Sequence, residues 1–260
     1  MGKRGSLGDE TGIGAMENAQ LISLSRQIAL QRQMDVVANN MANINTTGFK
    51  AENLLFEEYK MPVARDRDFA WNDQILSYTE DWATVHDTTP GAIEQTGNPL
   101  DVALQGDGYF AVDTPAGERY TRAGAFQIDN AGTLVDLSGN AVLTEAGPVT
   151  FTAADGDILI DSAGNISTAQ GNKGRLKVVE FADPQALRHE GGNLLSGAGA
   201  NPATDTRVLQ GSIEKSNVSG VTEMANMIRV SRAYETLSTL MQQQSDLRRT
   251  AISRLGDMTA

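Results

Sequence analysis

The chain contains no cysteine, which excludes disulfides, thiolate catalysis and zinc–thiolate sites. No apolar run approaches the ~18 residues that span a bilayer, so no membrane insertion is expected. No basic–apolar–small leader opens the sequence, and any export is expected to proceed without a cleaved signal peptide. Positive charge is also scarce: 21 Lys and Arg face 33 Asp and Glu, which leaves no basic face for nucleic acid. Beyond the first fifteen residues, proline and glycine are nearly missing from the two flanks of the chain. All 7 prolines fall between Pro62 and Pro202, Gly48 is the sole glycine from Ala15 to Pro90, and only Gly256 follows Gly220. Helix breakers crowded into the middle predict helical ends around a β-rich centre.

What is present fits that division. The 260 residues suffice for one large domain or two small ones. Residues 76–205 hold 6 Lys/Arg against 18 Asp/Glu, the whole net charge of −12. The centre is therefore an acidic, outward-facing module, and the nearly neutral ends can pack against copies of themselves. Met1 to Ala15, with five glycines and no apolar period, is read as a disordered extension. Residues 16–85 and 206–260 form a discontinuous helical core with its connecting segment, and 86–205 a β-rich outer domain.

The first helix is expected from about Glu17 to Ile44. Leu30, Met34, Val37, Met41 and Ile44 repeat at spacings of 4 and 3, a heptad seam, with Leu21, Leu24 and Ile28 on a neighbouring stripe. Gly48 can supply the left-handed stop. The second helix is expected from about Val221 to Leu255, with Ser219 as N-cap and Glu223 nearby. Its seam is Met227, Val230, Tyr234, Leu237 and Met241, turning polar at Gln244 and Arg248. The fold class is thus α+β: paired long terminal helices in a coiled-coil-like core, with a central antiparallel barrel- or sandwich-like domain.

The centre has its own turn grammar. An Asp-x-x-Gly unit recurs at Asp129–Gly132, Asp136–Gly139 and Asp161–Gly164, with a longer version at Asp113–Gly117. Asp caps the turn backbone and Gly takes the positive φ. Short strands are expected between them, at Val102–Leu104, Tyr109–Val112, Ala125–Ile128, Thr133–Val135, Ala141–Leu143, Ile158–Ile160 and Leu176–Phe181.

One stretch exceeds what a helix end needs: Ala38-Asn39-Asn40-Met41-Ala42-Asn43-Ile44-Asn45-Thr46-Thr47-Gly48-Phe49-Lys50. Asparagine is a poor helix former, and its amide, donor and acceptor at once, suits a packed helix-to-loop junction. This stretch resembles the ANNxANxxTxGFK signature of the flagellar rod and hook axial proteins, carried here on Asn39, Asn40, Asn43, Thr47, Gly48, Phe49 and Lys50. Gly97–Phe110 is similar to that family's GxPLDxAIxGxGFF block. Tyr120–Arg122 with Gly124–Leu134 is similar to its YTRxGxFxxxxxGxLV run. Gly211–Val218, Met227-Ile228 and Arg232–Glu235 are similar to its C-terminal block. The blocks keep family order from residue 16 to about 257. Leu55–Tyr59 and Arg248–Ile252 look more like the proximal-rod members than the distal ones.

The resemblance implies a structural subunit of the basal-body rod, which spans the periplasm and transmits torque. Its partners would be other proximal and distal rod subunits, copies of itself and the flagellar export apparatus. The two seams named above would be the assembly interface. No catalytic residue, cofactor or metal site is expected. Two rivals belong to other classes. A peptidoglycan-acting enzyme has carboxylates to draw on, but His86 and His189 are far apart in sequence and HExxH, GxSxG and P-loop motifs are absent. A calcium-binding adhesin module would need D-x-[DN]-x-[DN]-G spacing, which the Asp-Gly turns lack.

Overall fold

The structure is a computed structural model that describes residues 10–60 and 77–257, with side chains over 21–55 and 84–254. Two long helices bracket the chain, α1 (Glu10–Ala42) and α2 (Gly220–Asp257). α1 opens ahead of the expected Glu17, so residues 10–15 are helical where composition predicts disorder. Each added helical residue gains a hydrogen bond on an existing helix, which can outweigh the ~1 kcal/mol that Gly12 or Gly14 costs. The remainder of the disorder reading lies outside the described residues. α1 gives way to turns before Gly48, where φ is +66°. The chain divides into two compact units. One holds α1 to Asn39, residues 53–85 and α2 from Val221; the other holds Asn40–Glu52 and His86–Gly220.

Between the helices the described chain is almost wholly antiparallel β. β1 (Glu52–Lys60) and β2 (Ser77–His86) pair as a two-stranded ribbon. The β unit then follows with β3 (Ile93–Gln95), β4 (Val102–Gln105), β5 (Tyr109–Thr114), β6 (Gly117–Thr121), β7 (Gln127–Ile128), β8 (Leu134–Val135), β9 (Ala141–Thr144) and β10 (Gly147–Pro148). It continues with β11 (Leu159–Ile160), β12 (Asn165–Thr168), β13 (Gly171–Arg175), β14 (Val178–Phe181), β15 (Arg188–His189) and β16 (Leu195–Ser196). β17 (Ala200–Pro202), β18 (Arg207–Gln210) and β19 (Ser212–Glu214) complete it.

β5 is the central strand. Phe110 and Val112 enter one buried cluster with Leu104, Leu134, Val142 and Ile166. Tyr109 and Ala111 enter a second with Tyr120, Val179 and Phe181. The two-residue period of a strand thus loads both faces of β5. Rings lock the clusters edge to face: Phe110 on Phe126 at 5.1 Å, and Tyr120 on Phe181 at 4.9 Å.

The expected barrel is not formed. The β unit is a branched ten-stranded sheet, a three-stranded sheet of β11, β12 and β13, and two-stranded pairs β4–β18 and β3–β19. β5 shows why. One edge pairs with β6 from Phe110 to Thr114, but the other is divided between β14 at Tyr109 and Phe110 and β9 at Val112 and Asp113. A divided edge splits a sheet, and strands of two to six residues cannot carry the continuous tilt and stagger that closure needs.

The expected coiled-coil-like pairing is also corrected. Gln27 Nε2 donates to Tyr234 Oη at 2.9 Å across the two helices, and Val37 and Val230 are buried. Leu30, Met34, Met41, Met227, Leu237 and Met241 are only half-buried, and Leu21, Leu24 and Ile28 are exposed. A single neighbouring helix covers one side of a two-stripe surface, and the polar Gln244 and Arg248 interrupt the seam, so no continuous zipper forms.

The turns follow two rules. Asp129, Asp136 and Asp161 each accept two backbone N–H bonds through Oδ1, at 2.7–2.9 Å. Gly132, Gly139 and Gly164 close these turns with φ of +84°, +86° and +86°. The longer Asp113 version differs, because Thr114 does the capping. Thr114, Thr144 and Thr168 each donate Oγ1 to the carbonyl of Gly117, Gly147 or Gly171, at 2.7, 2.6 and 3.3 Å. This Thr-x-x-Gly turn closes three further hairpins, each with a glycine φ above +100°.

Candidate functional site

The chain passes between the two units at 39/40, 52/53, 85/86 and 220/221, and the motif residues from Asn40 to Lys50 belong to the β unit. Glu214, on β19, is the hub. Its carboxylate accepts from Lys50 Nζ at 2.6 Å, Arg122 Nε at 2.5 Å and the Gly91 N–H at 2.9 Å. Arg122 also donates to the carbonyls of Gly108, Leu104 and Gly106. Lys50 Nζ donates to the Thr89 carbonyl at 2.8 Å. Three blocks remote in sequence, carrying Lys50, Arg122 and Glu214, therefore meet in one buried ion network.

Burial lowers Lys50 and by itself would raise Glu214. In Glu214 the Arg122 charge and the hydrogen bonds from Lys50 and Arg122 outweigh burial, and its carboxyl is held below the usual glutamate range. Gly48 belongs to the same knot. Its N–H donates to the Glu214 carbonyl at 2.8 Å, and a Cβ there would lie 2.4 Å from the Arg122 carbonyl carbon. The residue is held by both positive φ and close backbone approach.

Asparagine amides tie the rest. Asn40 is fully buried, donates to the Glu52 carbonyl and accepts the Glu52 N–H, both at 2.9 Å. Asn217 accepts from the Ala51 N–H at 2.7 Å and donates to the Asp87 carbonyl at 2.9 Å. Asn193 donates to the Thr47 carbonyl, and Asn43 accepts from Thr46. Phe49, with Ala51 and Val218, forms a small buried cluster against Ile44. Asn39 is exposed on α1. Amides mimic a peptide edge, so Asn40 ties the end of α1 to Glu52 and Asn217 bridges Ala51 to Asp87.

The seam residues are not part of this knot, apart from Ile44 at its edge. On α2, Met227, Val230, Tyr234, Leu237 and Met241 are each less exposed than their immediate neighbours on the outer face. The turn aspartates Asp129, Asp136 and Asp161 spend Oδ1 on turn backbone, and Oδ2 of Asp136 and Asp161 accepts from the amides of Asn140 and Asn165. Among the described residues no helix is long and apolar enough to cross a membrane.

One constellation escapes sequence reasoning. His86 and His189 meet with ring centroids 4.8 Å apart, and both face Glu52. His189 sits below its ordinary value because burial disfavours its charged form, against the pull of Glu52. Sequence separation hid the pair: only the return of the chain at β15 brings His189 to the end of β2.

Comparisons with known proteins place the same blocks in one family. Residues 21–50 match the family described as Flagella basal body rod protein, 103–168 the Flagellar hook protein FlgE/F/G D1 domain, and 209–254 the Flagellar basal body rod FlgEFG protein C-terminal. The chain is 35% identical over 245 residues to the flagellar basal-body rod protein FlgF of Caulobacter vibrioides, covering 93% of this chain and 99% of that one. It is 33% identical over 247 residues to FlgF of Mesorhizobium japonicum, again 93% and 99%. Against the flagellar basal-body rod protein FlgG of Bacillus subtilis it is 34% identical over 238 residues, covering 81% and 89%.

Proposed function

Because this chain belongs to the flagellar basal-body rod protein family and is FlgF-like, we propose that it acts as a proximal-rod subunit whose half-covered helix stripes are closed by neighbouring axial subunits. A structural rod component needs surfaces that neighbours complete. The observation that carries the reading is the apolar surface left open on both helices. Leu21, Leu24 and Ile28 are 51, 47 and 56% exposed, and Val221, Met224 and Ile228 are 85, 58 and 49% exposed. Apolar residues at helical spacing in solvent mark an interaction face.

The interface takes in Leu30, Met34, Val37, Met41 and Ile44 on the first helix and Met227, Val230, Tyr234, Leu237 and Met241 on the second, together with the open residues beside them. Its partners are proximal and distal rod subunits and copies of the same chain, after delivery by the flagellar export apparatus to the basal body. The acidic β unit faces outward. The buried Glu214 is saturated by Lys50, Arg122 and Gly91, so this carboxylate serves the fold and has nothing to offer a substrate.

Leu237→Asp tests the reading. The variant is expected to keep the circular dichroism and hydrogen-exchange protection of the β unit, to be missing from isolated basal bodies, and to leave cells non-motile. Wild-type swimming with the variant in the rod contradicts the proposal.

A further inference from the structure

We infer that Glu52, His86 and His189 form a binding site for one divalent transition-metal ion of the zinc class. Among the described residues this is the one group of three His, Asp or Glu side chains placed to share an ion, with a ligand atom from each within 4.8 Å of the others. Glu52 Oε1 lies 3.8 Å from His86 Nδ1 and 3.6 Å from His189 Nε2. Those separations are too long for hydrogen bonds. They are close to the spacing of two donors on one tetrahedral ion, which bonds of ~2.0–2.2 Å set at about 3.3–3.6 Å.

The protonation of His86 points the same way. Its Nε2 lies 3.2 Å from the Leu187 carbonyl, which can only accept, so Nε2 carries the proton. In the neutral ring Nδ1 is then a bare lone pair. That atom is buried with no hydrogen-bond partner and faces a carboxylate oxygen, acceptor against acceptor. A cation between them resolves the conflict. A ring N–H given to a backbone carbonyl is also how metal-ligating histidines are held in the required tautomer.

The ligands are fixed before any ion arrives. Asn40 clamps both the N–H and the carbonyl of Glu52. Gln185 does the same for His86, accepting its N–H at 2.8 Å and donating to its carbonyl at 2.7 Å. His189 is held by strand pairing with Leu195. Two imidazoles and one carboxylate select zinc, nickel or copper over the all-oxygen preferences of calcium and magnesium. Three protein ligands leave a position for water, and side-chain exposures of 13, 21 and 14% for His86, His189 and Glu52 give an ion a way in. Bound there, it joins the first residue of β1, the last of β2 and β15. The inference stands apart from the rod reading and needs no assembly partner.

The test is zinc titration of the chelator-stripped full chain at neutral pH by calorimetry, with Co2+ as a spectroscopic probe. One Zn2+ per chain is expected, with a Co2+ spectrum of low-coordinate nitrogen–oxygen ligation and a raised melting temperature. His86→Gln and His189→Gln should each lower affinity at least about 100-fold, and Glu52→Gln at least about tenfold. The wild-type stoichiometry and Co2+ spectrum decide the matter even if a variant folds poorly. No stoichiometric binding, or affinity unchanged in the folded variants, overturns the site.

Discussion

Glu214 carries one charge and faces two cations, all three buried. Removing the acid strands both Lys50 and Arg122 in low dielectric, and breaking a buried pair in this way costs about 3–5 kcal/mol. Glu214→Gln is therefore expected to lose about that much in urea denaturation of the β unit. Acid acts on the same residue. In the unfolded chain Glu214 titrates in the ordinary glutamate range, and in the folded chain it titrates lower. Its contribution is complete above that range and is lost as pH falls through it, so stability should hold down to about pH 5 and decline below. Denaturation midpoints measured down to pH 3 check this, and midpoints that stay level to pH 3 would contradict it. Gly48→Ala meets both a positive φ and the Arg122 backbone. It should destabilise by more than the ~1 kcal/mol of a strained φ alone.

At the scale of elements, the turns divide by how deeply their caps are buried. Asp136 is buried and accepts from two N–H groups and the Asn140 amide. Asp129 is exposed and accepts from two N–H groups. Asp136→Ala should cost about 2–3 kcal/mol and Asp129→Ala about 1 kcal/mol, ranked by thermal melts. Equal losses would mean that burial does not set the worth of these caps. Such turns were legible in the sequence because Asp and Gly act within four residues. The strands they flank were legible too, as at Val102, Tyr109 and Ala141. β6 and β13 were not, because Gly117, Gly171 and Gly174 make them read as loop, and the threonine caps before them pass for ordinary polar residues. The barrel was misjudged because alternation shows that β5 has two buried faces but not that its edge is shared by β14 and β9. The Lys50–Arg122–Glu214 network was hidden because ion pairing across a fold leaves no local period. The histidine pair was hidden for the same reason.

For the whole molecule, the two units should differ in stability. The β unit has two buried clusters around one strand, whereas α2 leaves Leu240, Leu247 and Ile252 in solvent. Local opening is cheapest where few apolar contacts are lost. Amide exchange in the soluble chain should therefore be faster over 222–254 than over Val102–Val112, and equal protection would count against this. The central claim is that the open stripes are covered when the rod assembles. Because the chain has no cysteine, a single Met224→Cys variant allows that to be read directly by maleimide labelling. The thiol should react freely in the soluble chain and at least about tenfold more slowly in isolated basal bodies. Equal labelling in both states contradicts the account.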